Sequence, residues 1–295
     1  MTGQQRWHRV TIVGCGLIGA SFALALKRAR LCTVVAGWDK SSSVLDEALE
    51  RGVIDETDEA FARVEVSSSD LIYLAMPVEE IIGFLNERGA SVKRGALITD
   101  AGSTKREICR AAQSCLAEDQ YFVGGHPIAG SHLRGLRHAS AELFNDAPYV
   151  LIAGEAERER EPPLVAFKET LRLLGARVTF MTADEHDRAM ALISHLPQVV
   201  SSALAAVIKD QPDAGALAQL SGAGYRDMTR LAASSWSMWR GILATNPAYI
   251  VAALDTLVEK LSAVRDELRG EREGSPLEIT GSLFLKTSTD RGHDQ

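Results

Sequence analysis

His126 stands in the stretch VGGHPIAGSHLRG, with two glycines before it and Pro127 after it, where a strand-like run Tyr121-Phe122-Val123 releases into turn-favouring residues. A histidine at a strand end can serve as a base, because its ordinary pKa lies near neutrality. It can equally be a plain loop histidine, and the rest of the chain decides between them. Near the N-terminus, RVTIVGCGLIGASFALAL sets Gly14, Gly16 and Gly19 in the pattern GxGxxG between a strand-like and a helix-like run. Gly14 suits a tight turn, Gly16 lets backbone approach a pyrophosphate, and Gly19 lets the helix pack closely on the strand. Leu17 and Ile18 open that helix, whose first N–H groups would face the phosphates.

Asp39 ends the next strand-like run, TVVAGWD, twenty residues after Gly19. A carboxylate there accepts hydrogen bonds from the adenosine ribose and repels a 2′-phosphate, so the expected cofactor is NAD; Lys40 beside it works against that preference. Met76 and Pro77 follow the run DLIYLA, and Ser103, Thr104 and Lys105 follow GALITDAG. Ligands of open α/β sheets bind at the carboxyl ends of strands, which places these residues and His126 on one rim. There an alcohol would lose hydride to a nicotinamide and its proton to His126, with Ser103 beside it.

Positioning such a rim requires a sheet. Up to Met181, β-branched runs (RVTIVG, TVVAGWD, DLIYLAMP, GALITDAGS, YFVGG, YVLIA, RVTFM) alternate with helix patterns. That alternation predicts an α/β fold, a Rossmann-type dinucleotide-binding domain with a mainly parallel sheet. After Thr182 the strand patterns nearly vanish, which predicts an all-α C-terminal domain. The expected units are an NAD-binding domain over 1–181, a helical substrate and dimerisation domain over 182–270, and a loosely held tail over 271–295.

Within the helical part, ALISHLPQVV carries Pro197 inside a helix pattern, where proline frees a backbone carbonyl and kinks the helix. His195 then either faces the crevice or is a core histidine bonded to that carbonyl. GYRDMTR sets Arg226 and Arg230 at i, i+4, with Asp227 placed to pair with Arg230. Two such arginines suit carboxylates, whose geometry matches the guanidinium fork, although a solvated helix gives the same pattern. Trp236 and Trp239 read most simply as core or interface aromatics. Ile250, Leu254, Leu257, Leu261, Val264 and Leu268 form a heptad-like seam that suits a homodimer through this domain.

Composition excludes several classes. A hydrophobic content of 46% with 24% charged residues is that of an ordinary globular chain, and a net charge of -7 offers no footprint for nucleic acid. The N-terminal sequence lacks a signal-peptide pattern, and no stretch approaches the roughly 20 uninterrupted apolar residues of a membrane span. Cys15, Cys32, Cys109 and Cys115 show no CxxC and no clustered histidine, so no metal site or disulfide framework is expected. The expected compartment is a reducing cytoplasm.

The motifs VGCGLIGASFALAL, LAMPVE, TDAGSTK, GGHPIAGS, ISHLPQVV and GYRDMTRLAASS, in that order, resemble the prephenate/arogenate dehydrogenases of tyrosine biosynthesis across nearly the whole chain. The first two are shared with many dehydrogenases; GGHPIAGS with SHLPQ and RDMTRLA is far more specific. The resemblance implies NAD-dependent oxidative decarboxylation of a cyclohexadienol, prephenate or arogenate, to a 4-hydroxyphenyl product, and a helical domain that dimerises. It implies His126 as the catalytic histidine, Ser103 as its hydroxyl partner and His195 as a second active-site histidine. It further implies Arg230 as the main carboxylate anchor and places Trp239 near the substrate; Arg226, Asp227 and Ser131 are the other substrate-site candidates. His132 departs from the family pattern, since many relatives carry an acid there. The rival readings are another two-domain dehydrogenase, of the 3-hydroxyacid or 6-phosphogluconate type, which would use a catalytic lysine in the helical domain, and a non-catalytic dinucleotide sensor.

Overall fold

The computed structural model describes residues 7–58, 68–117, 119–129, 135–154, 162–270 and 277–289. Its N-terminal part is one eight-stranded sheet: β1 (Trp7–Val13), β2 (Cys32–Trp38), β3 (Glu56–Thr57), β4 (Leu71–Leu74), β5 (Leu97–Asp100), β6 (Tyr121–Pro127), β7 (Pro148–Ile152) and β8 (Arg177–Met181). The spatial order is β3-β2-β1-β4-β5-β6-β7-β8, and every neighbouring pair is parallel except β6 with β7. The chain therefore winds outward from β1 to β3 and returns through β4 on the other side. The crevice opens at that reversal, above the carboxyl ends of β1 and β4. The seven strand-like runs of the sequence all form strands, and only the two-residue β3 lacked a pattern.

Both faces of the sheet are covered, which is why its central strands are apolar without alternation. On one face α1 (Leu17–Ala29) and α5 (Pro162–Leu173) bury Phe22 and Phe167 against Val10, Ile12 and Tyr73. Phe22 stacks on Tyr73 with ring centroids 4.0 Å apart. On the other face α3 (Val78–Arg88) and α4 (Arg106–Cys115) pack Ile81, Phe84 and Ile108 against Val13, Ile72, Leu74 and Ile98. Between β2 and β3 lies α2 (Ser42–Glu50).

The remainder is helical. Thr182 caps α6 (Ala183–Met190) in a reciprocal capping box with Glu185. A π-helical turn, Ala191–His195, runs straight into α7 (Leu196–Lys209). Then follow α8 (Ala214–Gln219), α9 (Ala223–Thr229), a 3-10 turn (Arg230–Ala233), α10 (Trp236–Thr245), α11 (Pro247–Leu268) and α12 (Glu278–Thr289). The tail expected to be loosely held thus carries a helix. Glu267 of α11 accepts from Ile279 N at 2.8 Å and Thr280 N at 2.9 Å, fixing its start.

The helical part is tied to the sheet domain through shared core and polar contacts. Ile242 of α10 joins the α3–α4 cluster, Thr104 meets Thr245 at 2.7 Å, and Arg240 pairs with Glu79. Of the single helices among the described residues, the run Ala183–Lys209 alone is long and apolar enough to cross a membrane. It sends His186, Asp187 and His195 inward, while Leu192, Ile193 and Val207 lie exposed on the single chain. The α11 seam is also left open at Leu261 and Leu268, whereas Ile250 is buried.

Candidate active site

The glycine loop is shaped by close contact. Gly14 has φ 95°, and a Cβ there would lie 2.6 Å from Ala75 O and 3.0 Å from Met76 Cγ. A Cβ on Gly19 would lie 2.1 Å from Gly14 O, so only glycine lets α1 approach β1 this closely. Gly16 is different: nothing comes within 4 Å of its Cβ position. That open ground lies before the first-turn N–H groups of Leu17, Ile18 and Gly19, which no helical carbonyl can satisfy. A pyrophosphate fits there. Asp39 at the end of β2 accepts from Cys15 N at 3.0 Å and Ser41 N at 2.9 Å, which pins its carboxylate to the loop. Lys40 is paired with Glu80 at 2.7 Å. Half-buried Met76 and exposed Pro77, the residue before α3, form the facing wall. The residues present fit NAD.

The second half of the site is a connected polar network. His126, half-buried on β6, has its Nδ1 2.8 Å from Nε2 of His186. His186 Nδ1 lies 2.8 Å from Asp187 Oδ1, and both residues are completely buried in the middle of α6. The Asp187 carboxylate also accepts from Lys105 N at 2.7 Å and Arg106 N at 3.0 Å, the N–H groups that begin α4. A helix N-terminus is a favourable place for a negative charge.

Lys105 is itself fully buried. Its ammonium pairs with Asp100 and donates to Gly125 O at 2.6 Å, while Gly125 N donates to Asp100 Oδ1 at 3.1 Å. The ion pair thereby holds both backbone groups of the residue before His126. Burial, reinforced by His186, Lys105 and His195, keeps the His126 imidazole well below the ordinary 6.5. His186 is lowered too, by burial against the opposing pull of Asp187. The shift favours the neutral form of the His126 ring.

His195 closes the π turn and is also buried. The free carbonyl expected from Pro197 is not its partner: the helix accommodates the proline by widening into the π turn, with Pro197 at the start of α7. Instead Nδ1 of His195 faces Asn246 Nδ2 at 3.3 Å, and its ring meets Trp239 edge-on at 5.9 Å. Burial pushes its pKa down to about 4, although Asp187 pulls the other way. Trp239 Nε1 is buried with no hydrogen-bond partner among the described residues. Trp236 is exposed.

The remaining sequence candidates are less connected. Ser103, half-buried beyond β5, makes no hydrogen bond among the described residues, and His186 rather than Ser103 partners the Nδ1 of His126. Arg226 and Arg230 do not share one continuous helix, because α9 ends at Thr229 and Arg230 begins the 3-10 turn. The expected Asp227–Arg230 ion pair does not form: Asp227 and Arg230 are both exposed, while Arg226 donates to Ser221 O at 2.8 Å. The turn carrying Arg230 hangs on α7, through Gln198 Nε2 to Leu231 O at 2.8 Å and Ala232 N to Ser201 Oγ at 3.1 Å. No hydrogen bond or ion pair among the described residues joins Arg230 to either histidine. Ser131 and His132 lie outside the described residues. Sequence reasoning missed His186, Asp187 and Asn246; only the adjacent His-Asp pair in DEHDR was available as a signal, and it looked like an ordinary charged helix start.

A loop fitted to a dinucleotide and a histidine network at the strand ends of one sheet are the equipment of an oxidoreductase. Comparison with known proteins narrows the class. Residues 22–180 match the family model described as prephenate dehydrogenase, nucleotide-binding domain, and residues 182–279 match prephenate dehydrogenase, dimerization domain. The chain belongs to the prephenate dehydrogenase family, and NAD is its cofactor. Prephenate dehydrogenase of Bacillus subtilis is 32% identical, over 93% of this chain and 78% of the relative. That of Lactococcus lactis is 34% identical, over 87% and 70%. Among solved structures, prephenate dehydrogenase from Aquifex aeolicus in complex with hydroxyphenyl propionate and NAD+ superposes with a TM-score of 0.84 at 28% identity, covering 96% of this chain and 98% of that one. Arogenate dehydrogenase of Synechocystis gives 0.77 at 28% identity, with the same coverage.

Proposed function

We propose that this chain oxidises prephenate to 4-hydroxyphenylpyruvate with NAD, as a homodimer in the cytoplasm. The observation that carries the reading is His126: a neutral imidazole at the end of β6, its Nδ1 occupied by His186 and its Nε2 left for a ligand. NAD, when bound, supplies the hydride acceptor. His126 accepts the C4 hydroxyl proton as hydride leaves, and the new carbonyl is conjugated with the ring diene. Cleavage of the bond from C1 to its carboxylate then releases CO2, and that electron pair completes the aromatic ring. The chain's own part is to hold one proton and two carboxylates. Ser103 supplies a hydroxyl beside His126, Arg230 is the main anchor for a carboxylate, and His195 with Trp239 lines the buried side. Arg226, Asp227 and Ser131 are assigned to the mouth.

Arogenate is the second substrate to weigh, because Asp227 is an exposed acid without an ion pair among the described residues and suits an ammonium. The relatives named prephenate dehydrogenase, at 32% and 34% identity, favour prephenate. The test is NADH formation with prephenate and with arogenate, each with NAD and NADP, in wild type and His126→Asn. We expect prephenate with NAD to be turned over best, and kcat in the variant to fall by about two to four orders of magnitude with NAD binding retained. No product from either compound, with NAD still bound, would leave the chain a dinucleotide sensor.

A further inference from the structure

The two histidines of the crevice differ in what their Nδ1 atoms meet, and both chains of contact end on one residue. Asp187 receives two backbone N–H donors, so its carboxylate acts as an acceptor toward His186 as well. His186 must then carry its proton on Nδ1, 2.8 Å from Asp187 Oδ1, which leaves its Nε2 as a lone pair. That lone pair faces His126 Nδ1 at 2.8 Å, so His126 is protonated on Nδ1 and bare on Nε2.

The second arm leaves from the Asp187 backbone. Its carbonyl oxygen can only accept, so the Asn246 atom at 2.8 Å is the amide nitrogen, and this fixes the orientation of the amide. The other hydrogen of Asn246 Nδ2 points to His195 Nδ1 at 3.3 Å. His195 therefore presents a lone pair on Nδ1 and its proton on Nε2. Asn246 is 2% exposed, so water does not compete for that amide.

We infer that Asp187 is a shared positioning residue that sets the two crevice histidines in opposite tautomers, His126 as an acceptor at Nε2 through His186 and His195 as a donor at Nε2 through Asn246. One imidazole is thereby ready to take a proton from a hydroxyl and the other to donate to an anionic oxygen. The two cannot exchange roles without breaking contacts in the buried network. The inference deepens the proposed function, and the assignment of His126 as base is the part that rests on it.

The decisive measurement is nitrogen-15 long-range correlation spectroscopy on the histidine-labelled protein without substrate, which distinguishes protonated from bare ring nitrogens. Loss of signals in His126→Asn, His186→Gln and His195→Gln gives the assignments. We expect His126 and His186 protonated on Nδ1 and His195 on Nε2. Asn246→Ala is expected to release His195 into a mixture of tautomers while His126 stays as it was. His126 protonated on Nε2, or His195 on Nδ1, in the wild-type protein overturns the inference. In kinetics, His186→Leu should lower kcat about 10²-fold, and His186→Gln, whose amide oxygen still accepts from His126 Nδ1, should restore most of it. Equal kcat in His186→Leu and wild type would remove the His186 arm. If His126→Asn is itself fully active, the reading of His126 as base fails, and the wild-type tautomers still decide the present inference.

Discussion

Lys40 Nζ lies 2.7 Å from Glu80 Oε1, across the rim from the Asp39 carboxylate that closes the glycine loop. The cation beside Asp39 in sequence is thus engaged by a second acid, and a 2′-phosphate would meet uncompensated negative charge. NAD should therefore give a higher kcat/KM than NADP. Glu80→Gln, which releases Lys40, should narrow the ratio several-fold, an effect that salt will weaken because the pair is exposed. A wild-type preference for NADP would mean that the ribose is held by other residues.

Gly16 and Gly19 should respond oppositely to alanine. Gly16 has an extended backbone and empty space where its Cβ would sit, so Gly16→Ala should keep its melting temperature. Its methyl would intrude on the pyrophosphate at a cost of about 1–3 kcal/mol, raising the Kd for NAD about ten- to hundred-fold. In Gly19→Ala the methyl would strike Gly14 O, and the domain itself should lose stability. Thermal melts and NAD titration of both variants check this. Unchanged NAD affinity in a stable Gly16→Ala protein would place the pyrophosphate elsewhere.

Acid should weaken the fold through the buried histidines. His195 falls from 6.5 to about 4 on folding, and His186 and His126 shift in the same direction. Between the two pKa values the unfolded chain binds the proton and the folded chain does not, so stability is fully present above about 6.5 and is lost as pH falls toward 4. For His195 the loss is roughly 3 kcal/mol in all. The melting temperature should drop between pH 7 and pH 5, and His195→Gln should flatten that slope. An unchanged slope in that variant would assign the pH dependence to other groups. By the same sign, the acid limb of kcat/KM should lie below pH 6.5.

Local patterns made the cofactor half of the site legible. GxGxxG, its flanking strand and helix, and Asp39 at the next strand end are all set within forty residues, and β1, α1 and β2 form where the periodicity puts them. His126 was legible as a histidine at a strand end. Its partners were not, because His186 is sixty residues away and Asn246 meets Asp187 across fifty-nine. Such contacts depend on how the helical part docks on β6, which no local period encodes. The Arg226–Arg230 spacing misled for a related reason. It assumes a continuous helix, whereas Gln198 and Ser201 bond backbone at Leu231 and Ala232, where the helix has tightened into a 3-10 turn.

Dimerisation should depend on α11. Leu257 is half-buried and Leu261 is 58% exposed on the single chain, on the seam that Ile250 begins. A charged residue at either position would have to be desolvated in a helix–helix contact. Leu257→Glu with Leu261→Glu should therefore turn a dimer into a monomer by light scattering, with the helical far-ultraviolet signal largely kept. A double variant that remains dimeric would place the interface on the exposed Leu192–Ile193 face instead.

Arg230 should anchor the substrate and Arg226 should not. Arg226 already donates to Ser221 O at 2.8 Å, whereas Arg230 has no hydrogen bond or ion pair among the described residues. Its turn is tethered by Gln198 and Ser201, one and four residues beyond Pro197 on α7 and close in sequence to the buried His195. A dianionic substrate entering the crevice loses water and needs a cation with hydrogen-bond donors in return. Because that pairing exists in ground and transition states alike, its loss should fall mainly on KM. Arg230→Ala should raise KM for the cyclohexadienol by the equivalent of about 2–5 kcal/mol, with a smaller change in kcat and NAD affinity hardly moved. Arg230→Lys should recover only part, since an ammonium cannot reproduce a bidentate contact. Steady-state kinetics of Arg230→Ala, Arg230→Lys and Arg226→Ala decide it: a normal KM in Arg230→Ala beside a raised KM in Arg226→Ala would move the anchor to the other arginine.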